Sequence, residues 1–364
     1  MKIICFLSSL SQPRCIKRVT SFANAGFEVE VYGYSRGFYD INDLPGEIKT
    51  VSWGKISSGG GYLRRMKDIV KNMRRIIGAN KDNEVLYYAF GFDFSVVLSI
   101  LKPYCYIYES SDLIYTYRNR IFSILFEKID KSVIRKSYRT VFTSEGFQYY
   151  LFKDNIPGNI IIQPNKVSSY FLHIDRQRQV YDSKIGKGLV FAYVGAFRYP
   201  NTVFRFARII GERYPQHRFY FYGDSQLTYL AKELSEKYEN IKYFGKFKSP
   251  EDLGRIYSTI DVVTACYDTS TVNERIAEPN KLYEAICFCK PIIVSEGTFL
   301  ESKVKKYNIG FAINADNDKS IMDFLDQLNY DVLNTMSHNE LNMGIEEYID
   351  SPKSIIQALT DFGN

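Results

Sequence analysis

Short apolar runs rich in β-branched and aromatic residues alternate along this chain with longer runs whose apolar positions recur at helical spacing. In the first half the short runs predict strands at residues 2–8, 27–34, 84–90, 105–111, 140–144 and 159–163, and the long ones helices near 14–25, 62–77, 94–101 and 121–137. The second half repeats the alternation more regularly. Strands are predicted at 189–196, 218–223, 241–244, 261–266, 291–295 and 310–314, with helices at 201–214, 227–238, from Pro250, 281–289 and 299–307. Ser249, Pro250 and Asp252 read as a Ser cap, a proline in the first helical position and an acid three residues after the cap. Strands separated by single helices pair in parallel and are covered on both faces. The pattern between 156 and 166, followed by polar residues 175–187, reads as an exit strand and linker. The chain thus divides into domains at 1–166 and 167–350, and a final helix from Ser351 and Pro352, about 351–364, is free to pack back on the first.

Composition narrows the function classes. Hydrophobic residues at 45% and charged residues at 24% fill a core in each of two domains. The six cysteines include no CxxC pair and mostly sit in apolar runs, which predicts reduced core thiols and a cytoplasmic setting rather than disulfides or zinc. Three histidines, none spaced for metal, leave little for a His-based centre. The opening apolar stretch is short for a signal peptide and reads as a buried strand, and no apolar run approaches the ~20 residues that span a bilayer. The first 164 residues hold 23 Lys and Arg against 15 Asp and Glu, while the remainder is slightly acidic, so the basic excess lies in the first half. Residues 62–77 form a basic amphipathic pattern, and a second basic stretch with aromatics runs from Arg118 to Arg139. Helices of this kind most often pack one face and solvate the other; the functional reading is peripheral adsorption to anionic lipid. The 30 Tyr and 26 Phe fall largely within strands, where packing explains them, and no nucleic-acid-binding motif is present.

In an open parallel sheet ligands meet the carboxyl ends of strands. There the second half places Gly195 and Arg198, then Gly223, then Gly245, Lys246 and Phe247. Each glycine lets backbone approach a ligand, and Arg198 and Lys246 suit phosphate. After the fourth strand comes Glu278-Pro279-Asn280-Lys281-Leu282-Tyr283-Glu284. A helix starting at Pro279 or Asn280 would present free amides to an anion beside Lys281, and Glu284 one turn on shares that face and could accept from two ribose hydroxyls. A Lys-to-Glu surface pair that only supports the helix explains the same spacing. In the first half, Asp112 ends a predicted strand and is the first candidate for a base or acceptor ligand, Glu109 the second; Asp93 stands at the same rim, as base or helix cap.

Residues 190–295 resemble the donor-binding half of GT-B glycosyltransferases related to family 4, of the bacterial capsule, exopolysaccharide and O-antigen type. They share a Pro-x-Lys-x-x-Glu pattern before an apolar helix and a Lys-Pro-Ile strand. The resemblance covers the second half well and the first loosely. It implies two Rossmann-like doubly wound α/β domains facing a cleft, and a nucleotide-diphosphate sugar as donor to a glycan or lipid-diphosphate-linked acceptor, with no cofactor or metal. It further implies that Arg198 and Lys281 hold the diphosphate, Glu284 the ribose, and Gly223 with the backbone of Lys246 and Phe247 the base. Gly195, Asn280 and Leu282 complete the implied donor contacts. The chain departs from the pattern twice: Ile276 stands where the family has a sugar-binding Glu, with Glu274 and Glu278 on either side, and Ser11-Gln12-Pro13-Arg14 replaces a Gly-Gly phosphate loop. A sugar-nucleotide epimerase of the same fold, or an inactive nucleotide-sugar-binding relative, is the alternative.

Overall fold

The computed structural model describes residues 1–35, 44–55, 61–80, 85–101, 103, 105–182 and 188–363. The predicted strand residue Glu84 and the linker residues 183–187 lie outside them. The chain forms two compact units, Met1–Pro164 with Pro352–Asn364, and Asn165–Ser351.

The first unit is built on strands β1 (Lys2–Leu7), β2 (Glu28–Ser35), β3 (Lys49–Lys55), β4 (Val85–Phe90), β5 (Tyr106–Ser110), β6 (Arg139–Phe142) and β7 (Ile160–Ile162). They pair in parallel in the order β3-β2-β1-β4-β5-β6-β7. The chain reverses direction across the sheet between β1 and β4, the switch point at which such sheets open a crevice. β3 is absent from the sequence prediction: it is an edge strand whose alternation carries only Val51 and Trp53 as apolar residues. The helix Glu145–Phe152 is likewise additional, started by Ser144, whose hydroxyl accepts from the amide of Gly146 at 3.1 Å. One face of the sheet packs Ile3, Cys5, Leu7, Val19 and Phe22 into a core that Ile355 and Leu359 of helix Lys353–Gly363 complete.

The second unit adds β8 (Val190–Val194), β9 (Arg218–Tyr222), β10 (Ile241–Gly245), β11 (Val262–Ala265), β12 (Ile292–Ser295) and β13 (Gly310–Ile313), parallel in the order β10-β9-β8-β11-β12-β13. Alternation along β8 sends Val190, Ala192 and Val194 to one core and Phe191 and Tyr193 to the other. Both faces are therefore buried, as continuous apolar strands require. The cap expected at Ser249 is not used. The helix starts at Leu253 after a turn, and the carboxylate of Asp252 accepts from the amide of Lys248 at 2.8 Å, so the acid, not the serine, closes this corner.

Arg176, in the segment read as linker, is a structural clasp. Its guanidinium donates to the carbonyls of Ile286 (2.8 Å), Cys287 (3.3 Å), Leu341 (3.2 Å), Met343 (3.1 Å) and Glu340, and lies 4.3 Å from the ring of Tyr348. These carbonyls belong to the carboxyl ends of helices Asn280–Phe288 and Tyr330–Leu341, where a cation also meets both helix dipoles. All six cysteines are buried and free.

Candidate functional site

In the second unit the strand-end glycines are joined to one another. The amide of Gly195 donates to the carbonyl of Tyr222 and that of Gly223 to Gly245, each at 2.8 Å. Gly223 has φ 138°, and a Cβ there would lie 2.0 Å from the carbonyl oxygen of Gly195. No other residue fits, because the conformation and the clearance both exclude a side chain.

Helix Asn280–Phe288 begins at the carboxyl side of this rim, with Pro279 extended before it. From its first turn Lys281 extends back over the β8 loop. Its Nζ lies 4.2 Å from the ring centroid of Tyr193 and 3.1 Å from where a Cβ of Gly195 would stand. Lys281 is 8% exposed, and burial lowers its pKa to about 8, with Glu284 opposing that shift and Arg198 adding to it. A desolvated cation over an aromatic face and against glycine backbone is a preformed anion subsite. Glu284 stands on the same helix face, and the hydroxyl of Tyr257 donates to its Oε2 at 2.6 Å. Burial raises the Glu284 carboxyl, offset by Tyr257 and Lys281. Lys281, Glu284, Arg198 and Gly195 are thus brought together.

The other expected donor contacts fall differently. Asn280 is exposed and accepts from Asn165 Nδ2 at 2.8 Å. Leu282 is 1% exposed and packs in the core, so only its backbone faces the helix start. Lys246 extends into solvent, 3.3 Å from Asp224, and Phe247 packs against the core, which leaves their backbone as the part available at the rim. Of the two glutamates beside Ile276, Glu278 is buried and accepts from Tyr283 and, at 2.8 Å, from Lys303. Glu274 is caught by Thr271 at 2.8 Å and lies within electrostatic reach of Arg198 and Asp268. Glu274 is therefore the one turned toward the cationic rim.

Asp268, which the sequence pattern does not single out, lies within electrostatic reach of Glu274. It follows β11, the position a search of strand ends would have tested. Thr202 Oγ1 lies 2.8 Å from its Oδ1, and burial raises its carboxyl. Tyr193, Tyr257 and Tyr267 carry no sequence signal that separates them from the many core tyrosines. Among the described residues no group of three or more His, Cys, Asp and Glu is placed to hold a metal ion.

In the first unit Asp112 is exposed just beyond β5, with Ser111 Oγ 3.3 Å from its Oδ2. Glu109 does not fit the role of an alternative base. It is 0% exposed and receives Arg14 at 3.0 Å, Arg18 at 3.2 Å and the hydroxyl of Tyr88. A carboxylate held by two guanidiniums inside the sheet layer is a structural ion cluster. Asp93 lies in the first turn of helix Phe92–Leu101 and binds Tyr62 at 2.9 Å and Arg65 at 3.5 Å.

Comparison with known proteins bears on the fold and on the second unit. Residues 175–338 match the family described as glycosyl transferases group 1. Among solved structures, the sucrose-phosphate synthase of Thermosynechococcus elongatus is 13% identical with a TM-score of 0.71, covering 99% of this chain and 98% of that one. Anabaena Alr3699/HepE, crystallised with UDP and glucose, is 14% identical with a TM-score of 0.67 and the same coverage. The lipopolysaccharide outer core galactosyltransferase WaaB is 15% identical with a TM-score of 0.64, covering 100% and 99%. No curated protein matches the sequence. The fold is that of the GT-B glycosyltransferases, and the match to glycosyl transferases group 1 falls within the second unit.

Proposed function

We propose that this chain moves a sugar from a nucleotide-diphosphate sugar to a glycan or lipid-linked acceptor in the synthesis of a bacterial surface polysaccharide, as a relative of family 4. The observation that carries the reading is Lys281, buried against Tyr193 and Gly195 with Glu284 beside it. Lys281 and Arg198 meet the charge of the diphosphate without a metal ion, and Glu284, oriented by Tyr257, accepts from the ribose. The backbone at Gly223, Lys246 and Phe247 faces the base. Glu274 takes the sugar contact for which Ile276 is unsuited. In the transfer, the bond from the anomeric carbon to the phosphate oxygen breaks, the acceptor oxygen bonds to that carbon, and the nucleoside diphosphate leaves. The acceptor proton passes to Asp112 if the configuration inverts, or to the leaving phosphate if it is retained.

Uridine diphosphate sugars are the donors to try first, since structural neighbours are crystallised with UDP, UDP-glucose or UDP-2-fluoro glucose. A donor at a hundred times its dissociation constant stabilises the fold by about 2.7 kcal/mol, enough to raise the melting temperature measurably. At least one of UDP-, GDP- and dTDP-sugars is expected to do so; failure of all of them removes the basis of the reading. Conversion of the donor to an epimer with no acceptor present would favour the epimerase instead.

A peripheral membrane attachment through the first unit belongs to the same reading. Leu63 is 77% exposed on helix Tyr62–Ala79, and Ile121 (80%), Phe122, Ile124 and Leu125 are exposed on helix Arg120–Lys136. Apolar side chains among Arg64, Lys67, Lys71, Arg118 and Arg120 suit an anionic headgroup layer. No described helix is long and apolar enough to cross a membrane.

A further inference from the structure

Asp112 sits between two tyrosines whose hydroxyls face one buried carboxyl. Tyr108 precedes it in β5, and Tyr115 follows it in the 3-10 turn Ile114–Tyr117. The carboxyl is that of Asp130, on helix Arg120–Lys136 and 0% exposed. Tyr115 donates to its Oδ2 at 2.9 Å. Tyr108, also fully buried, turns its hydroxyl to the same group, although neither that hydroxyl nor Asp130 Oδ1 has a partner at hydrogen-bond geometry. Among the described residues no Lys or Arg forms an ion pair with Asp130. Glu127 lies one turn earlier, held by Lys131 at 2.6 Å and Tyr150 at 3.2 Å, and Asp93 of the neighbouring helix acts on Tyr108. A leucine would fill such a place at lower cost than a carboxyl with one oxygen unmatched.

We propose that Asp130 is a positioning residue for segment 111–117, holding the turn that follows Asp112 through the hydroxyl of Tyr115. Its link to transfer rests on the reading of Asp112 as the acceptor-side group; the positioning itself does not. Burial pushes Asp130 up to about 7, with Glu127 adding and the two tyrosines opposing. For a carboxyl raised in the closed state, protons are bound more tightly closed than open. Closure is therefore favoured most at low pH and loses strength as pH rises from the ordinary carboxyl value toward 7.

Hydrogen exchange of amides 113–117, corrected for intrinsic rates and followed between pH 5 and 7 without donor or acceptor, tests this. In the parent, protection is expected to fall by about tenfold or more across that range, while helix Pro13–Asn24 of the same unit changes little. Asp130→Asn should abolish the slope, and Tyr115→Phe should lower protection at every pH while keeping it. A slope that survives Asp130→Asn, or one shared equally by helix Pro13–Asn24, overturns the proposal; should that variant not fold, undiminished protection in Tyr115→Phe overturns it as well. Loss of the transferase reading would show separately, as donors that fail to stabilise a protein whose exchange behaves as described.

Discussion

Lys281 is a cation kept where its charge is disfavoured, and a bound diphosphate would reverse that bias. With a pKa of about 8 in the free protein, Lys281 is mostly charged at pH 7 and mostly neutral at pH 9. The diphosphate does not titrate in this range, while a uracil, thymine or guanine base begins to lose its ring N–H proton near pH 9, so the share due to Lys281, about a tenfold weakening of donor affinity from pH 7 to 9 by calorimetric titration, is the part that Lys281→Ala removes. Lys281→Ala should also bind more weakly, by about tenfold or more at pH 7. An unchanged slope in the variant would assign the titration to another group. The Lys281 and Glu284 pair was legible in the sequence because both lie on one helical turn. Glu109 was misread because its partners, Arg14 and Arg18, arrive from a distant helix. The roles of Tyr193 and Tyr257 were invisible for the same reason: they depend on what folding brings opposite them.

At the scale of elements, the donor-side helix Asn280–Phe288 is set at both ends. Its amino-terminal turn meets the glycine loops, and its carboxyl end is fastened by Arg176 to helix Tyr330–Leu341. The planar fork of arginine reaches several carbonyls at once, which an ammonium does not. Arg176→Lys is therefore expected to lower stability by about 2–3 kcal/mol, and Arg176→Ala by more, measured as denaturant midpoints at constant m-value. A loss within about 0.5 kcal/mol would show the clasp to be incidental. Periodicity located the central strands and most long helices, since burial on both faces imposes an apolar run. It missed β3, where an edge position relaxes that demand, and the short helix Val272–Ile276, which is specified by its Thr271 cap. The polar segment 175–187 read as linker because a clasp made of carbonyl contacts leaves no apolar trace.

For the whole molecule, the sequence showed the uneven charge but not where apolar residues break the basic surface. That position decides between two kinds of adsorption. Cations alone would release from anionic vesicles as salt screens them, whereas inserted side chains retain part of the binding. Flotation with vesicles containing phosphatidylglycerol is expected to show a salt-sensitive and a salt-resistant component. The double substitution Ile121→Ser and Phe122→Ser should remove the second while sparing the first. Equal binding to neutral and anionic vesicles, or none, would discard the attachment.

The division into units also differs from the order in which the chain is made. Ile355 and Leu359 close the core that begins with Ile3 and Cys5, yet they are translated only after every residue of the second unit. Amino-terminal domains ordinarily complete themselves first as they leave the ribosome. Here the earlier half must wait with part of its interior uncovered, and the later half can finish before it.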